Sequence, residues 1–144
     1  MSNSINLRTS AHAEVSLVSI EQIHKYIARY CCNSQLCVKH LQHHFGIPYS
    51  ALCDIFQREY RVLPREYIER YRIARLVAEG YKVYPLLPRT QYGFDNERTL
   101  QRAFMRTVGI KPNDWFKNVM NSDNPEILSA NKAKDVFPFR ELMF

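Results

Sequence analysis

Apolar residues fall at helical spacing in several separate runs along the chain. Ile20, Ile23, Ile27 and Tyr30 or Cys31 recur on one face, which predicts a first amphipathic helix. Ser19-Ile20-Glu21-Gln22 starts it as a capping box: the serine hydroxyl accepts from the third helical N–H and the glutamine reaches back. A second helix covers roughly Val38 to Phe45, with Val38, Leu41 and Phe45 inward, and turns through Gly46, where positive φ costs a glycine little. A third, from about Pro48 to Tyr60, buries Leu52, Ile55 and Phe56. Pro64 opens a long helix at its first turn, where a missing N–H is harmless, and Gly80 stops it after Glu79. Tyr67, Ile68, Tyr71 and Leu76 supply its apolar contacts, while Arg65, Arg70, Arg72 and Arg75 make it basic.

The stretch from Leu41 to Tyr67 is then written a second time. Phe45-Gly46-Ile47 returns as Tyr92-Gly93-Phe94, and Leu52 and Phe56 return as Leu100 and Phe104. Val62, Pro64 and Tyr67 return as Ile110, Pro112 and Trp115, with one residue added between Gly93 and Leu100. The repeated unit is a short helix, a glycine turn and a longer helix, which is a helix-turn-helix. Pro85 and Pro88 fall where Val38 and Leu41 would repeat, and a proline inside a helix costs about 3 kcal/mol. The short helix of the second unit is therefore expected to run only from Pro88 through Tyr92. Asp95 is expected to cap the next helix, Asn96 to about Thr107, which Gly109 ends. Pro112 begins a last helix carrying Trp115 and Phe116, after which the chain turns polar.

The expected fold is all-α, with about seven helices in two homeodomain-like helix-turn-helix subdomains joined by a long linker helix. A flexible arm spans 1–18, the first subdomain 19–63, the linker helix 64–80, the second subdomain 81–120 and a tail 121–144. Each unit alone is too small for a comfortable core, so the two should lean on the linker.

Composition adds two points. The chain has 144 residues, 46% hydrophobic and 24% charged, and a formal net charge of +6 with pI near 9.3. That charge permits a polyanionic partner without specifying one. No segment approaches the roughly 18 apolar residues of a membrane span. No basic-then-apolar leader is visible, and Cys31, Cys32, Cys37 and Cys53 lack the spacing of a secreted disulfide framework. The expected location is a bacterial cytoplasm, on the nucleoid.

Leu41, Phe45-Gly46-Ile47, Leu52, Phe56, Pro64-Arg65-Glu66-Tyr67, Arg72-Ile73 and Arg75 resemble the DNA-binding domain of the AraC/XylS family of transcription regulators. Gly93-Phe94, Leu100-Gln101-Arg102-Ala103-Phe104 and Gly109-Ile110-Lys111-Pro112 carry the resemblance in the second unit. It covers roughly Ile20 to Phe116. It implies two helix-turn-helix units, each presenting a recognition helix to the major groove of double-stranded DNA about one turn apart. It further implies a regulator that activates through RNA polymerase. The chain departs from the family at Arg61, where a helix-ending glycine is usual, at Pro85 and Pro88, and at Asp54, where a basic or polar residue is common.

On the second recognition helix, Glu97, Arg98, Gln101 and Arg102 lie opposite Leu100, Ala103 and Phe104 by 3.6 periodicity. Arginine grips guanine O6 and N7 with two bonds, and glutamine does the same for adenine N6 and N7, so these four are base-contact candidates. Tyr49, Ser50, Cys53 and Asp54 form the equivalent face in the first unit, where a carboxylate can accept from cytosine N4. Arg58, Arg106 and Lys111, near recognition-helix ends, are candidates for phosphate contact. The alternative for all of them is a solvated helix face. Arg70, Arg72 and Arg75 are expected as structural partners of Glu66, Glu69 or Glu79.

Other chemistry has less behind it. Cys37, His40 and His44 share one helical face and, with Cys31 and Cys32, resemble a soft-metal or thiol-sensing set. They fall on the outer side of a helix whose inner side is already assigned, and adjacent cysteines suit a tetrahedral site poorly, so no metal or cofactor is expected. Cys53 beside Asp54, or a cysteine with His43, lacks a glycine-rich phosphate loop or oxyanion donor, and no enzyme is expected. The aromatic ending, Phe137, Phe139 and Phe144, must dock on this domain, a twin chain or another protein. The rival to a regulator is a protein-interaction module on a degenerate helix-turn-helix fold that sequesters another regulator.

Overall fold

The structure is a computed structural model that describes residues 18–86 and 91–144. Among these residues it is all-helical, with seven α-helices. They are α1 (Ile20–Tyr30), α2 (Val38–Phe45), α3 (Tyr49–Tyr60), α4 (Pro64–Glu79), α5 (Glu97–Val108), α6 (Pro112–Met120) and α7 (Pro125–Val136). A 3-10 turn, Gly80–Lys82, follows α4.

Local signals account for most boundaries. Ser19 Oγ accepts from Gln22 N at 3.2 Å while Gln22 Oε1 accepts from Ser19 N at 3.0 Å, completing the capping box. α2 ends on Gly46 at φ 63°. α3 ends on Arg61 at φ 57°, so an arginine occupies the left-handed position that glycine prefers. The second unit's longer helix, α5, starts one residue later than expected. Asn96, not Asp95, is its cap, because Asn96 Oδ1 accepts from both Thr99 N (2.9 Å) and Thr99 Oγ1 (3.0 Å).

The internal repeat is a repeat of burial as well as of letters. Leu52 and Leu100, Phe56 and Phe104, and Tyr67 and Trp115 are all buried, and Gly46 and Gly93 both have positive φ. The expected short helix from Pro88 to Tyr92 lies mostly outside the described residues. Gln91 and Tyr92, which are described, form a turn rather than helix.

The seventh helix is α7, which lies inside the segment 121–144 expected as a tail. Its inward positions are Ser129, Ala133 and Val136, small residues that give little periodic signal, while Ile127 and Leu128 face outward. Its cap was visible in Asn124-Pro125-Glu126: Asn124 Oδ1 accepts from Ile127 N at 3.1 Å, and proline stands at the first helical turn. α7 lies along α4 in the most extensive helix–helix packing of the molecule. This explains why α4 buries residues almost all round, from Tyr67 and Ile68 to Ala74, Leu76 and Val77. α6 is accordingly not the last helix.

After α7 the segment 137–144 returns to the first unit. Phe137 is 1% exposed and packs edge-on against Tyr67 and Tyr71, at 4.8 and 5.0 Å between centroids. Phe139 stacks on Tyr67, and the Arg70 guanidinium sits 5.1 Å from its ring centre. The aromatic ending thus docks on its own chain.

Candidate nucleic-acid interface

α5 is anchored by Leu100, Ala103 and Phe104, which are buried, and this turns Glu97, Arg98, Gln101 and Arg102 outward, all four exposed. Gln101 Nε2 donates to Glu97 Oε1 at 3.3 Å, one turn apart, so the carboxylate and amide share a row on that face. The segment 137–144 packs on α1, on Tyr60 of α3 and on α4, and leaves the α5 face open.

α3 is oriented the same way by Leu52, Ile55 and Phe56. Tyr49, Ser50 and Asp54 are exposed, and Cys53 is half-buried. The Tyr49 hydroxyl is raised above its ordinary pKa, first by its hydrogen bond with Cys53 one turn on. The two exposed faces differ in charge: α5 offers two arginines, a glutamine and one carboxylate, α3 a carboxylate and a phenol.

The phosphate-contact candidates separate. Arg58 and Lys111 are exposed at the end of α3 and just before α6. Arg106 is paired through Nη2 with Glu69 of α4 and so ties the second unit to the linker helix.

Linker arginines only partly follow expectation. Arg75 pairs with Glu79 at 3.4 Å. Arg72 meets carbonyls rather than carboxylates among the described residues: it donates Nε–H to Cys31 O at 2.8 Å and Nη2–H to Asn33 O (3.0 Å) and Leu36 O (2.7 Å). Its five-donor fork meets the C-cap carbonyl of α1 at Cys31 and two carbonyls of the connection to α2, and so pins that loop to the linker helix. Arg70 lies over Phe139 instead of joining a glutamate.

Arg72 also marks where the two units meet. Gly93 packs so closely there that a Cβ on it would lie 2.2 Å from Cys31 O and 2.4 Å from Arg72 Nε. The ring of Phe94 is 6.0 Å from the same guanidinium. An open cleft of about 590 Å³ runs along this joint, its cations Lys39, Arg65, Arg72 and Arg106 set against Glu69 and Asp95.

The thiol and imidazole groups do not converge on a metal site. His40 Nε2 pairs with Tyr26 OH at 2.6 Å, and His44 stacks on the same ring at 4.0 Å. Among the described residues, no three His, Cys, Asp or Glu side chains come together in metal-binding geometry. Cys31 and Cys32 do pair, with their sulfurs 3.8 Å apart and Arg75 Nη1 3.5 Å from Cys31 Sγ. The hydrogen bond with Cys32, then Arg75 against the opposing effect of burial, pulls the Cys31 thiol down to about 6. The same hydrogen bond, with burial, pushes Cys32 up.

Sequence reasoning missed His24, buried on α1 and bonded at both ring nitrogens. Its place on the apolar face between Ile20 and Ile27 was the available signal.

Among the described residues, no helix is long and apolar enough to cross a membrane. Comparison with models of known families, with curated proteins and with solved structures finds no match for this chain.

Proposed function

We propose that the chain is a sequence-specific binder of double-stranded DNA that regulates transcription in a bacterial cytoplasm. In this reading α5 and α3 enter neighbouring stretches of the major groove. The observation that carries the reading is the open Arg98–Gln101–Arg102 face of α5, set outward by Leu100, Ala103 and Phe104. Two arginines and a glutamine at this spacing match the bidentate edges of guanine and adenine. Arg58 and Lys111 would hold the backbone and fix register, while Arg106 works through Glu69. Activation through RNA polymerase is the mode that the family resemblance implies.

Selection from randomised duplexes, followed by titration of the winning sequence at several salt concentrations, tests this. The expected result is a defined motif, a steep fall in affinity with salt, and about 1–3 kcal/mol of discrimination lost at one position in Arg102→Ala. No motif, with weak and uniform binding to all duplexes, rejects it.

The second reading, a module that sequesters another regulator, is favoured by Asp54 on the exposed face of α3 and by Ile127 and Leu128, 57% and 39% exposed on α7. It loses the support of the aromatic ending, since Phe137 and Phe139 pack on the chain itself.

A further inference from the structure

We propose that Cys31 and Cys32 form a reversible thiol–disulfide exchange site for low-molecular-weight disulfides, and that closing it loosens the joint between the two helix-turn-helix units. The regulatory consequence rests on the DNA-binding reading; the chemistry does not.

Three observations converge on this pair. The two sulfurs lie 3.8 Å apart, with Arg75 donating toward Cys31 and itself held by Glu79. Cys31 is buried and Cys32 half-buried, so a reagent meets Cys32 first and Cys31 waits behind it. The carbonyl of Cys31, in the peptide that joins the two cysteines, accepts from Arg72 and lies so close to Gly93 that no side chain fits between them. Cys37 is exposed and lines the cleft beside this joint, and Cys53 lies on α3; neither belongs to the peptide whose oxygen Arg72 holds.

The exchange balances without a further reagent. The pair loses one proton readily and shares the other, as coupled thiols do. The favoured form has the proton on Cys32; when it passes across the 3.8 Å contact to Cys31, the Cys32 thiolate attacks one sulfur of the disulfide RSSR, forming Cys32–S–SR and releasing RS⁻. Cys31 passes its proton to the departed thiolate, and its own thiolate, facing Arg75, attacks the Cys32 sulfur. The S–SR bond breaks and a second RS⁻ leaves. Two thiols are oxidised to one disulfide, and RSSR is reduced to two thiols.

Geometry links this to the joint. Adjacent Cα atoms across a trans peptide are about 3.8 Å apart, whereas disulfide-linked residues usually sit about 4.4–6.8 Å apart. A bond between neighbours therefore closes only by distorting the backbone torsions on either side of the intervening peptide, and that peptide carries the oxygen that accepts from Arg72 and against which Gly93 packs. The resulting strain makes the bond easy to reduce, which suits a reversible site.

The test equilibrates the full chain with glutathione and glutathione disulfide at rising oxidised fraction, blocks the remaining thiols by alkylation and maps the peptides by mass. Cys31 and Cys32 should lose their label together as an internal disulfide while Cys37 and Cys53 keep theirs. In Cys31→Ser, Cys32 should instead stop at the mixed disulfide. Hydrogen exchange of the oxidised wild-type chain should quicken at Leu36 and at Tyr92 to Phe94, and its affinity for the selected duplex should drop by about tenfold until a dithiol reductant restores it. Full alkylation of Cys31 and Cys32, or prior reaction of Cys37 or Cys53, overturns the site. Unchanged exchange at the joint overturns the coupling. Closure with a loosened joint in a chain that selects no duplex leaves the exchange site standing and removes the DNA reading. Duplex binding by a chain whose pair stays reduced does the reverse.

Discussion

His24 Nε2 donates its proton to the main-chain carbonyl of Glu141 at 3.1 Å, across 117 positions of sequence. Its other nitrogen, Nδ1, is then the acceptor for Tyr67 OH at 2.7 Å, and the Phe137 ring stacks on the imidazole with centroids 5.9 Å apart. The first helix-turn-helix unit is therefore completed by residues beyond the second.

This arrangement gives stability a pH dependence with a definite sign. Burial, with a smaller contribution from Arg140, lowers the His24 pKa below 6.5 in spite of the bond to Glu141. Tyr67, Tyr71, Glu21, Lys25 and Arg140 also face or line the site. A depressed folded-state value means that the stabilisation is complete above pH 6.5 and is lost as pH falls from there through the lower value. Urea unfolding across that window should show the decline in the wild type and a flatter line in His24→Gln. Equal slopes would remove His24 as the cause.

Phe137→Ala should cost about 3–5 kcal/mol, because the ring is enclosed by Tyr67, Tyr71, His24 and Phe139. Phe144→Ala should cost well under half of that, since Phe144 is 43% exposed and meets Tyr71 edge-on with the Arg75 guanidinium 5.6 Å from its ring centre. Comparable losses, or none in either, would mean that the segment is not seated as described.

Much of this molecule could be read from letters, and what escaped has a common cause. The glycines and prolines gave the limits of α2 and α4, because they act on the backbone within a residue or two of where they stand. The outward set of α5 followed from the spacing of Leu100, Ala103 and Phe104. α7 escaped because Ser129 and Ala133 are small where a core stripe is expected to be large. Arg72 and Arg106 escaped for another reason. Their partners, three carbonyls and Glu69, are 36 to 41 positions away, and no local rule pairs them.

Gly93→Ala and Gly46→Ala should separate two effects of glycine. Both residues have positive φ, at 86° and 63°, so each substitution carries backbone strain of about 1–2 kcal/mol. Only at Gly93 would the new methyl also strike Cys31 O and Arg72; nothing lies within 4 Å at Gly46. Denaturant melts should place Gly93→Ala below Gly46→Ala by at least about 1 kcal/mol. Equal melts would argue against close contact at the joint.

Arg61→Gly should raise stability by about 0.5–1 kcal/mol, the relief of left-handed strain less the extra entropy of an unfolded glycine. Arg61 is exposed and ends α3 at φ 57°, so little packing is lost. A lower unfolding midpoint in the variant would show that the arginine side chain contributes more than its backbone costs.

Because Phe137 and Glu141 close over His24 and Tyr67, order of synthesis and order of completion run in opposite directions. A nascent chain exposes α1 to α4 to the cell while the aromatic residues that seal them are still inside the ribosome. Until Phe139 emerges, Tyr60 and Tyr67 present an uncovered greasy surface, the kind of surface on which chaperones act. The part made first is finished last, and termination between α5 and Phe137 should yield a product destined for proteolysis rather than a shortened but stable domain.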